Sequence, residues 1–404
     1  MSTRGGADGM SWPPHTSESR PWRQAVRGGT RDDRTFNTLK VSIPPSIRDE
    51  PVTIPSGLMS DIEAAMREIT ALDVGHGERL APLGRLLLRA ESVASSKIEH
   101  IHAGVEDYAL ALHGSRANES ARSMVAATVA LEAMINDVGL RGVIDWTMVS
   151  RAHRALMQDD PSEHRYAGRL RDVQNWIGGS DHSPRGALFV PPPPETVDDL
   201  MADLMAFVHR DDMPALAQAA LGHAQFESIH PFTDGNGRIG RAFVNAVLRR
   251  RGATAHVVVP LASSLVAHRD RYFDSLTAYR HGDAAPIIAG FARATRIAAA
   301  EARTTSVRLG EIAGEMRAAV GRVRSGGATD ALLRALPLNP VVTVDDAVES
   351  TGASRSVVYE AIERLAAAGV LHPLTTRKRN QVWGAVAMLD ELEDLGRRIE
   401  SASR

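Results

Sequence analysis

Most of the chemistry this sequence can offer is gathered in one stretch, His230-Pro231-Phe232-Thr233-Asp234-Gly235-Asn236-Gly237-Arg238-Ile239-Gly240-Arg241. Pro231 disfavours the helical conformation at the residue before it, so a helix arriving from the N-terminal side stops near His230. Gly235 and Gly237 permit positive φ and close backbone approach, and Asn236 between them tolerates the left-handed region. Exposed backbone N–H groups that run straight into a helix N-terminus make a nest for an anion. Arg238 and Arg241 lie three apart on the first turn of that helix and can point into the same concavity. Positive charge is unfavourable at a helix N-terminus unless an anion is expected there, and arginine's planar fork suits the oxygens of a polyphosphate. Asp234 adds a hard oxygen ligand of the kind magnesium takes together with phosphate oxygens and water. His230, at the rim, has a nitrogen suited to accept a hydroxyl proton near neutral pH. Phe232 points into the core and anchors the loop. Together these residues are equipment for nucleotidyl or phosphoryl transfer from a metal-bound triphosphate. A zinc site on one helix face, from His223, Glu227 and His230, is the competing reading.

The elements around this loop are expected to be mostly helical. Hydrophobic residues make up 43% of the 404-residue chain but aromatics only 4%, so Leu, Val, Ile and Ala must build the core, a composition that favours helix over strand. Helices are predicted over Ala215–His230 and Arg238–Arg251, directly flanking the loop. Others fall on Leu58–Ile69, on Leu83–Val93 leading into Ser95-Ser96-Lys97-Ile98-Glu99-His100, on Asn118–Asp137 and Thr147–Gln158, and on an alanine-rich stretch to about Val323. Around Arg169–Val190 a turn-rich segment with Gly178-Gly179 reads as a short β-hairpin, ended by Pro191–Pro194. Residues 1–35, rich in Gly, Arg, Ser, Asp and Pro, read as a disordered tail or as sequence upstream of a later start such as Met10. Gly326-Gly327 is a hinge candidate, and the last part of the chain reads as a separate module. In it three short helices, over Thr329–Leu336, Val344–Ser350 and Ser354–Ala368, precede a hairpin with a basic tip at Arg377, Lys378 and Arg379.

Composition bounds the partners. A net charge of −2 gives no global field toward nucleic acid, so contact with it needs a local patch. The absence of cysteine removes thiolate nucleophiles and Cys-based metal sites, and fits a cytoplasmic protein. No apolar run of the length of a membrane span and no signal peptide are apparent, so no membrane partner is expected.

His230 to Arg241 matches every position of the Fic motif, His-x-Phe-x-acid-Gly-Asn-Gly-Arg-x-x-Arg. From about Ile43 to the end the chain resembles Fic proteins with an N-terminal helical segment and a C-terminal winged helix. The resemblance implies a mostly α fold: a Fic-type helical bundle with a small β-hairpin flap, plus a C-terminal winged helix-turn-helix module. The expected limits are 36–115 for the N-terminal helical segment with its inhibitory helix, 116–323 for the Fic core and 328–390 for the winged helix. It further implies transfer of AMP from ATP to a hydroxyl of a target protein. His230 would be the general base, Asp234 would hold Mg2+, Asn236 with the backbone of Gly235 and Gly237 would cradle the α- and β-phosphates, and Arg238 and Arg241 would bind the β- and γ-phosphates. Ser95-Ser96-Lys97-Ile98-Glu99 resembles the family's inhibitory motif, Ser/Thr-x-x-x-Glu-Gly/Asn, with His100 in place of the final Gly or Asn. Glu99 would then pair with Arg241 and Ser95 would hydrogen-bond in the same site. The segment 169–190 would be the flap that pairs with the target. Tyr272 stands where relatives place an adenine-side aromatic, and either stacks on the base or belongs to the core. Arg355 and the basic tip are the candidate contacts for DNA through the winged helix, which could equally serve a homodimer. Transfer of another nucleotide or of phosphate, and a DNA-binding regulator whose Fic core senses nucleotide, are the alternatives.

Overall fold

The computed structural model describes residues 10–24, 27–74, 80–114, 118–375 and 381–404. In order they form β1 (Thr16–Pro21), α1 (Arg31–Thr35), β2 (Thr38–Ile43), α2 (Ser56–Asp73), α3 (Leu80–Ile98), α4 (Val105–Leu112), α5 (Glu119–Arg141) and α6 (Trp146–Met157). The middle of the chain gives α7 (Val197–Val208), α8 (Ala215–Ile229), α9 (Asn236–Arg250), α10 (Leu261–Ala267), α11 (Arg269–Arg280) and α12 (Ala285–Val320). The remainder is α13 (Ala328–Ala335), β3 (Val341–Val342), α14 (Val344–Thr351), α15 (Arg355–Ala367), β4 (Leu371–Pro373), β5 (Trp383–Ala385) and α16 (Val386–Ser403). The expected mostly α architecture is what these elements build.

Two compact units share the chain. The first takes the residues up to Met66, Val129–Ala253 and Arg269–Arg293; the second takes Arg67–Thr128, Thr254–His268 and Ala294–Arg404. These limits differ from the expected ones, because each unit is assembled from three separated stretches and periodicity along the chain carries no record of which stretches meet.

The first unit is built around α8, whose residues from Leu216 to Ile229 are all buried. A helix without a polar face must be wrapped on every side; α7, α9 and α11 pack against it. Its two interior glutamines are satisfied, as burial requires. Gln218 Nε2 donates to the carbonyls of Phe207 (3.0 Å) and Arg210 (2.7 Å), while Gln225 Nε2 donates to Pro45 O (2.8 Å) and accepts at Oε1 from the Tyr279 hydroxyl (2.8 Å).

The N-terminal stretch departs from the reading of a disordered tail. β1 pairs antiparallel with β2, from Thr16 opposite Ile43 to Pro21 opposite Thr38. Met10 and Trp12 are buried, and Trp12 N–H donates to Gly282 O (2.9 Å). Helix α1 starts on a capping box, in which the Thr30 hydroxyl accepts from Asp33 N–H while the Asp33 carboxylate accepts from Thr30 N–H. The signals were present: two tryptophans, the Thr30-x-x-Asp33 spacing, and the alternating Leu39 and Val41 that β2 buries. The density of Gly, Arg and Pro outweighed them.

In the second unit α3 packs against α10 and α16. The Asp73 carboxylate, closing α2, accepts from three successive backbone N–H groups, Ala255 (2.6 Å), His256 (2.9 Å) and Val257 (2.9 Å). Glu91 in α3 accepts from the Ala262 N–H (2.8 Å) at the start of α10. The C-terminal strands make one antiparallel sheet in the order β3-β5-β4 beside α13, α14 and α15. Ser354 precedes α15 as expected of an N-cap, yet its hydroxyl meets Ser356 Oγ (3.1 Å) instead of a backbone N–H. The hinge expected at Gly326-Gly327 is pinned: Asp330 accepts from Gly326 N–H (3.0 Å) and pairs with Arg317 and Arg334 (2.6 Å each). Helix α16 was not anticipated, although Leu389, Leu392, Leu395 and Ile399 recur at helical spacing. It covers apolar surface: Leu389 joins Ala109, Val341 and Val382 in one buried cluster.

Among the described residues α5 is long and apolar enough to cross a membrane, by length and composition alone. The sequence reading found no such stretch. Core helices of globular proteins pass the same test, and α5 buries Ala121, Met124, Ala127, Leu131, Met134 and Val138.

Candidate functional site

The loop His230–Gly235 is shaped by two left-handed residues. Helix α8 ends when His230 takes φ 51°, ψ 62°, with its N–H still donating to Phe226 O (2.9 Å). Pro231 forbids continuation in the helical region, and the left-handed conformation turns the chain back at once. Gly235, at φ 75°, makes the second turn and opens α9. A Cβ there would also lie 3.0 Å from Leu156 Cδ2, so the position excludes side chains on two counts. Of the glycine pair expected to bend, only Gly235 does; Asn236 and Gly237 already belong to the first turn of α9. The loop therefore delivers its end directly onto a helix N-terminus, the geometry that favours an anion.

Asn236 has a structural job in the loop. Its side chain is buried and closes the loop on itself: Oδ1 accepts from Phe232 N–H and Nδ2 donates to Phe232 O, both at 2.9 Å. One N–H of the amide is used by the loop, and the second Nδ2 hydrogen is not taken by these bonds.

Phe232 is fully buried, as the sequence reading required. Its ring lies parallel to His153 at 3.6 Å between centroids and stacks on Trp146 at 5.6 Å. His153 also fixes the loop backbone. Gly168 N–H donates to His153 Nδ1 (2.9 Å), which places the ring hydrogen on Nε2, and Nε2 then donates to Asp234 O (3.0 Å). Burial pushes the His153 pKa down to about 4, so the ring is neutral at physiological pH. The unfolded chain, with a histidine near 6.5, binds the proton first. The stability His153 confers is thus complete above pH 6.5 and is lost as pH falls toward 4. Chemical unfolding of wild type and His153→Gln across this range is expected to show the gap between them shrinking by about 3 kcal/mol. A gap that does not change with pH would remove the histidine from this role.

Arg171 is the second clamp that sequence reasoning missed. It is 2% exposed and holds the loop from behind. Its Nε donates to His230 O (2.8 Å), Nη2 to Pro192 O (2.6 Å) and Ile229 O (3.3 Å), and Nη1 to Val173 O (3.1 Å). Its own backbone N–H donates to Pro231 O (2.9 Å). Burial lowers its pKa to about 10, which leaves it cationic at neutral pH. Asn175 adds a third tie, donating from Nδ2 to Phe232 O (2.9 Å). The only sequence signal for these residues is their place in the turn-rich segment before the prolines.

The polar groups proposed for chemistry sit on this frame. Asp234 presents a side chain that is 60% exposed, with Oδ2 3.6 Å from Arg238 Nη2. Arg238 is 7% exposed and lies 3.8 Å from Met157 Sδ, on α6. Arg241 is 1% exposed and heads the largest fully buried side chains. His223 is an interior residue whose Nε2 meets the Tyr272 hydroxyl at 2.8 Å. Tyr272 itself is 4% exposed, so of its two readings the structure shows the core one. Among the described residues no three His, Asp or Glu side chains are grouped to hold a metal.

The segment 169–190 forms less sheet than a hairpin. One bridge joins Ile177 and Phe189, and the residues between them turn without a ladder. It is nevertheless well braced, and the N-terminal stretch does the bracing. Trp22 meets the Trp176 ring edge-on at 5.5 Å, Asp33 accepts from Ser183 Oγ (2.7 Å), and Asp32 pairs with Arg185 (2.9 Å). Ser42 N–H in β2 donates to Val190 O (2.9 Å). Leu188, 85% exposed, is left on the outer side.

Ser95 and Glu99 belong to the second unit, on and just after the last turn of α3. Ser95 is buried and Glu99 exposed. The helix ends in a Schellman arrangement: Ile101 N–H donates to Ser96 O (3.1 Å) and His100 N–H to Lys97 O (3.0 Å). His100 occupies the left-handed position at φ 59°. Gly or Asn would suit this position better, since a side chain without their tolerance costs ~1–2 kcal/mol in this conformation. Arg355 pairs with Asp345 across α14 and α15. Arg377, Lys378 and Arg379 lie outside the described residues.

Residues 144–248 match the family model described as Fic/DOC family. The chain is 29% identical over 165 residues to "Protein adenylyltransferase fic-1" of Caenorhabditis briggsae, covering 38% of this chain and 29% of that protein. It is 31% identical over 166 residues to "Protein adenylyltransferase Fic" of Nematostella vectensis, covering 38% and 35%. It thus spans about a third of the length of the curated relatives it matches. Its fold is similar to the crystal structure of a Fic family protein from Desulfovibrio desulfuricans, with a TM-score of 0.55 at 23% identity over 83% of this chain and 97% of that one.

Proposed function

We propose that this chain, which carries a Fic/DOC-family domain over residues 144–248, transfers AMP from ATP to a hydroxyl group of a protein. The observation that carries the reading is the loop between the left-handed His230 and Gly235, which ends on the N-terminus of α9 with Arg238 and Arg241 on its first turns. Backbone N–H groups there and the positive end of the helix favour a polyphosphate, whose oxygens suit the forks of two nearby arginines. His230 takes the proton from the incoming hydroxyl. The hydroxyl oxygen forms a bond to the α-phosphorus as the bond to the β-phosphate oxygen breaks, and pyrophosphate leaves with that electron pair. The choice of adenylyl among nucleotidyl groups is supported by the activity for which both relatives are named.

Magnesium fits the donor set. Asp234 offers one exposed carboxylate beside the anion nest, and magnesium keeps several waters and takes phosphate oxygens alongside one or two carboxylates. When bound it would neutralise charge on the phosphates. Glu99 is read as a brake on nucleotide binding through the likeness of Ser95–Glu99 to the family's inhibitory motif, and the strained His100 beside it weakens that brake. The order α13, β3, α14, α15, β4, β5 supports a winged helix at the C-terminal end. The pairing of Arg355 with Asp345 counts against its use on DNA phosphates.

Incubation with ATP labelled at the α-phosphorus tests the reading. Wild type is expected to label itself weakly and Glu99→Gly several-fold more. Absence of label from both, with label retained by neither protein nor added target extract, rejects the transfer reaction. Equal labelling by both rejects the brake alone.

A further inference from the structure

The segment 169–190 has one bridge, between Ile177 and Phe189, and no ladder to fix its register. Its place must come from what its side chains meet. The arm carrying Trp176 meets Trp22, and the turn is tied through Ser183 and Arg185, while the returning arm comes in at Phe189. Successive residues of an extended arm point to opposite sides. Here Phe189 is buried and Leu188 is 85% exposed. What seats Phe189 therefore decides that Leu188 faces outward.

The seat is Arg280, the last residue of α11. Its guanidinium carbon lies 3.5 Å from the centre of the Phe189 ring. The side chain forms no ion pair or hydrogen bond with the described residues, and its Nε is closed off from solvent without an acceptor. A charge removed from water without a counter-ion is costly. Burial lowers the pKa of the group to about 10, against the raising effect of Glu227 and Tyr272, and it stays cationic at neutral pH. An uncharged side chain would avoid that cost, so what the charge gains here is its attraction to the face of Phe189.

Hydrogen bonds close a circuit around this stack, all of it within the first unit. The Arg280 carbonyl accepts from His15 N–H (2.9 Å), His15 Nδ1 meets Ser42 Oγ (2.8 Å), and Ser42 N–H donates to Val190 O (2.9 Å), one residue beyond Phe189. Tyr279, beside Arg280 on α11, donates its hydroxyl to Gln225 Oε1 (2.8 Å) in α8. The end of α11 is thereby fixed to the helix that ends at His230, and Arg280 passes that fixed position on to Phe189.

We propose that Arg280 is a positioning residue for the transfer reaction: stacked on Phe189, it holds the segment 169–190 so that Leu188 and its backbone face an incoming polypeptide. This rests on the reading of that segment as the edge along which the target lies. Hydrogen exchange on the full chain reads the seat at the amides of Ile177 and Leu188, which donate to Phe189 O and Ile177 O (2.8 Å each). Arg280→Met and Phe189→Leu are each expected to speed exchange there about tenfold, which is ~1.4 kcal/mol and the scale of a desolvated cation–π contact. The double variant should exchange no faster than Phe189→Leu alone. Arg280→Lys should recover part of the protection, and the amides of α8 should not change. In self-labelling with ATP labelled at the α-phosphorus, in the Glu99→Gly background, Arg280→Met should lower the rate at saturating ATP several-fold. The ATP concentration for half-maximal rate should stay as it was. Should Arg280→Met not fold, Phe189→Leu removes the stack from the other side. Unchanged exchange in both single variants, additive effects in the double, or a shifted ATP requirement overturns the proposal, the last by making Arg280 a nucleotide contact. If no variant carries label, the transfer reading falls, and exchange still decides whether Arg280 seats the segment.

Discussion

Replacing His230 with asparagine is expected to lower AMP transfer by about 10²–10⁴-fold, the usual loss on removal of a general base, with the fold kept. Asparagine is the sharper choice than alanine because of where this residue sits. His230 holds φ 51° at the end of α8. Non-glycine residues other than Asn and Asp pay about 1–2 kcal/mol in that region, so wild type and His230→Ala both carry strain that asparagine relieves. Asparagine tolerates the conformation and carries no imidazole. The two variants should be equally inactive, while His230→Asn should melt at a higher temperature than His230→Ala. Nucleotide affinity should survive in both, because the anion nest is backbone and the guanidinium groups lie on α9. An asparagine variant that transfers AMP at the wild-type rate would remove His230 from the reaction.

Arg171→Met is expected to be the most damaging substitution outside the motif. The guanidinium donates to four carbonyls, at His230, Pro192, Ile229 and Val173. A buried carbonyl left without a donor costs about 1–3 kcal/mol. With partial relaxation, a loss of about 4 kcal/mol is a fair expectation, placing the change among the large single-site effects. Two of the four carbonyls flank the left-handed turn, so the imidazole loses its placement as well as the fold losing stability. Arg171→Lys should recover part of the stability, since an ammonium reaches one or two of these oxygens but cannot fork. If misplacement of His230 is the cause, the lysine variant will show kcat reduced more than KM at a temperature where it remains folded. Unfolding midpoints near wild type for Arg171→Met would show that water or neighbouring groups replace the guanidinium, and the clamp would be discarded.

Both expectations concern the same loop, but they differ in how far the sequence foretold them. His230, Asp234, Arg238 and Arg241 announce themselves because their chemistry is unusual at that spacing, and because Pro231 and Gly235 restrict the backbone through local sterics. Local sterics also account for the end of α8 and the start of α9. Asn236 shows the limit. Its type suits a phosphate, while its tie to the Phe232 backbone is something only the closed loop reveals. His153 and Arg171 lie far from the motif in sequence and become functional by contact. An isolated histidine on an apolar helix face and an arginine in a turn-rich stretch carry no mark of their partners. The same holds for the N-terminal residues, whose composition suggested disorder while Trp22 and Asp33 brace the segment 169–190.

The sequence alone determined the helical character of the chain, the place where its helices break around the loop, and the residue types that can handle a nucleotide. These follow from φ, ψ preferences and from periodicity, which act between residues a few positions apart. The tertiary structure decided which carbonyls Arg171 collects, which face of Phe232 His153 covers, why Tyr272 is interior, and that Arg280 comes to lie on Phe189. Those outcomes depend on burial and on hydrogen bonds between distant stretches, whose energies exist only once the chain has closed on itself.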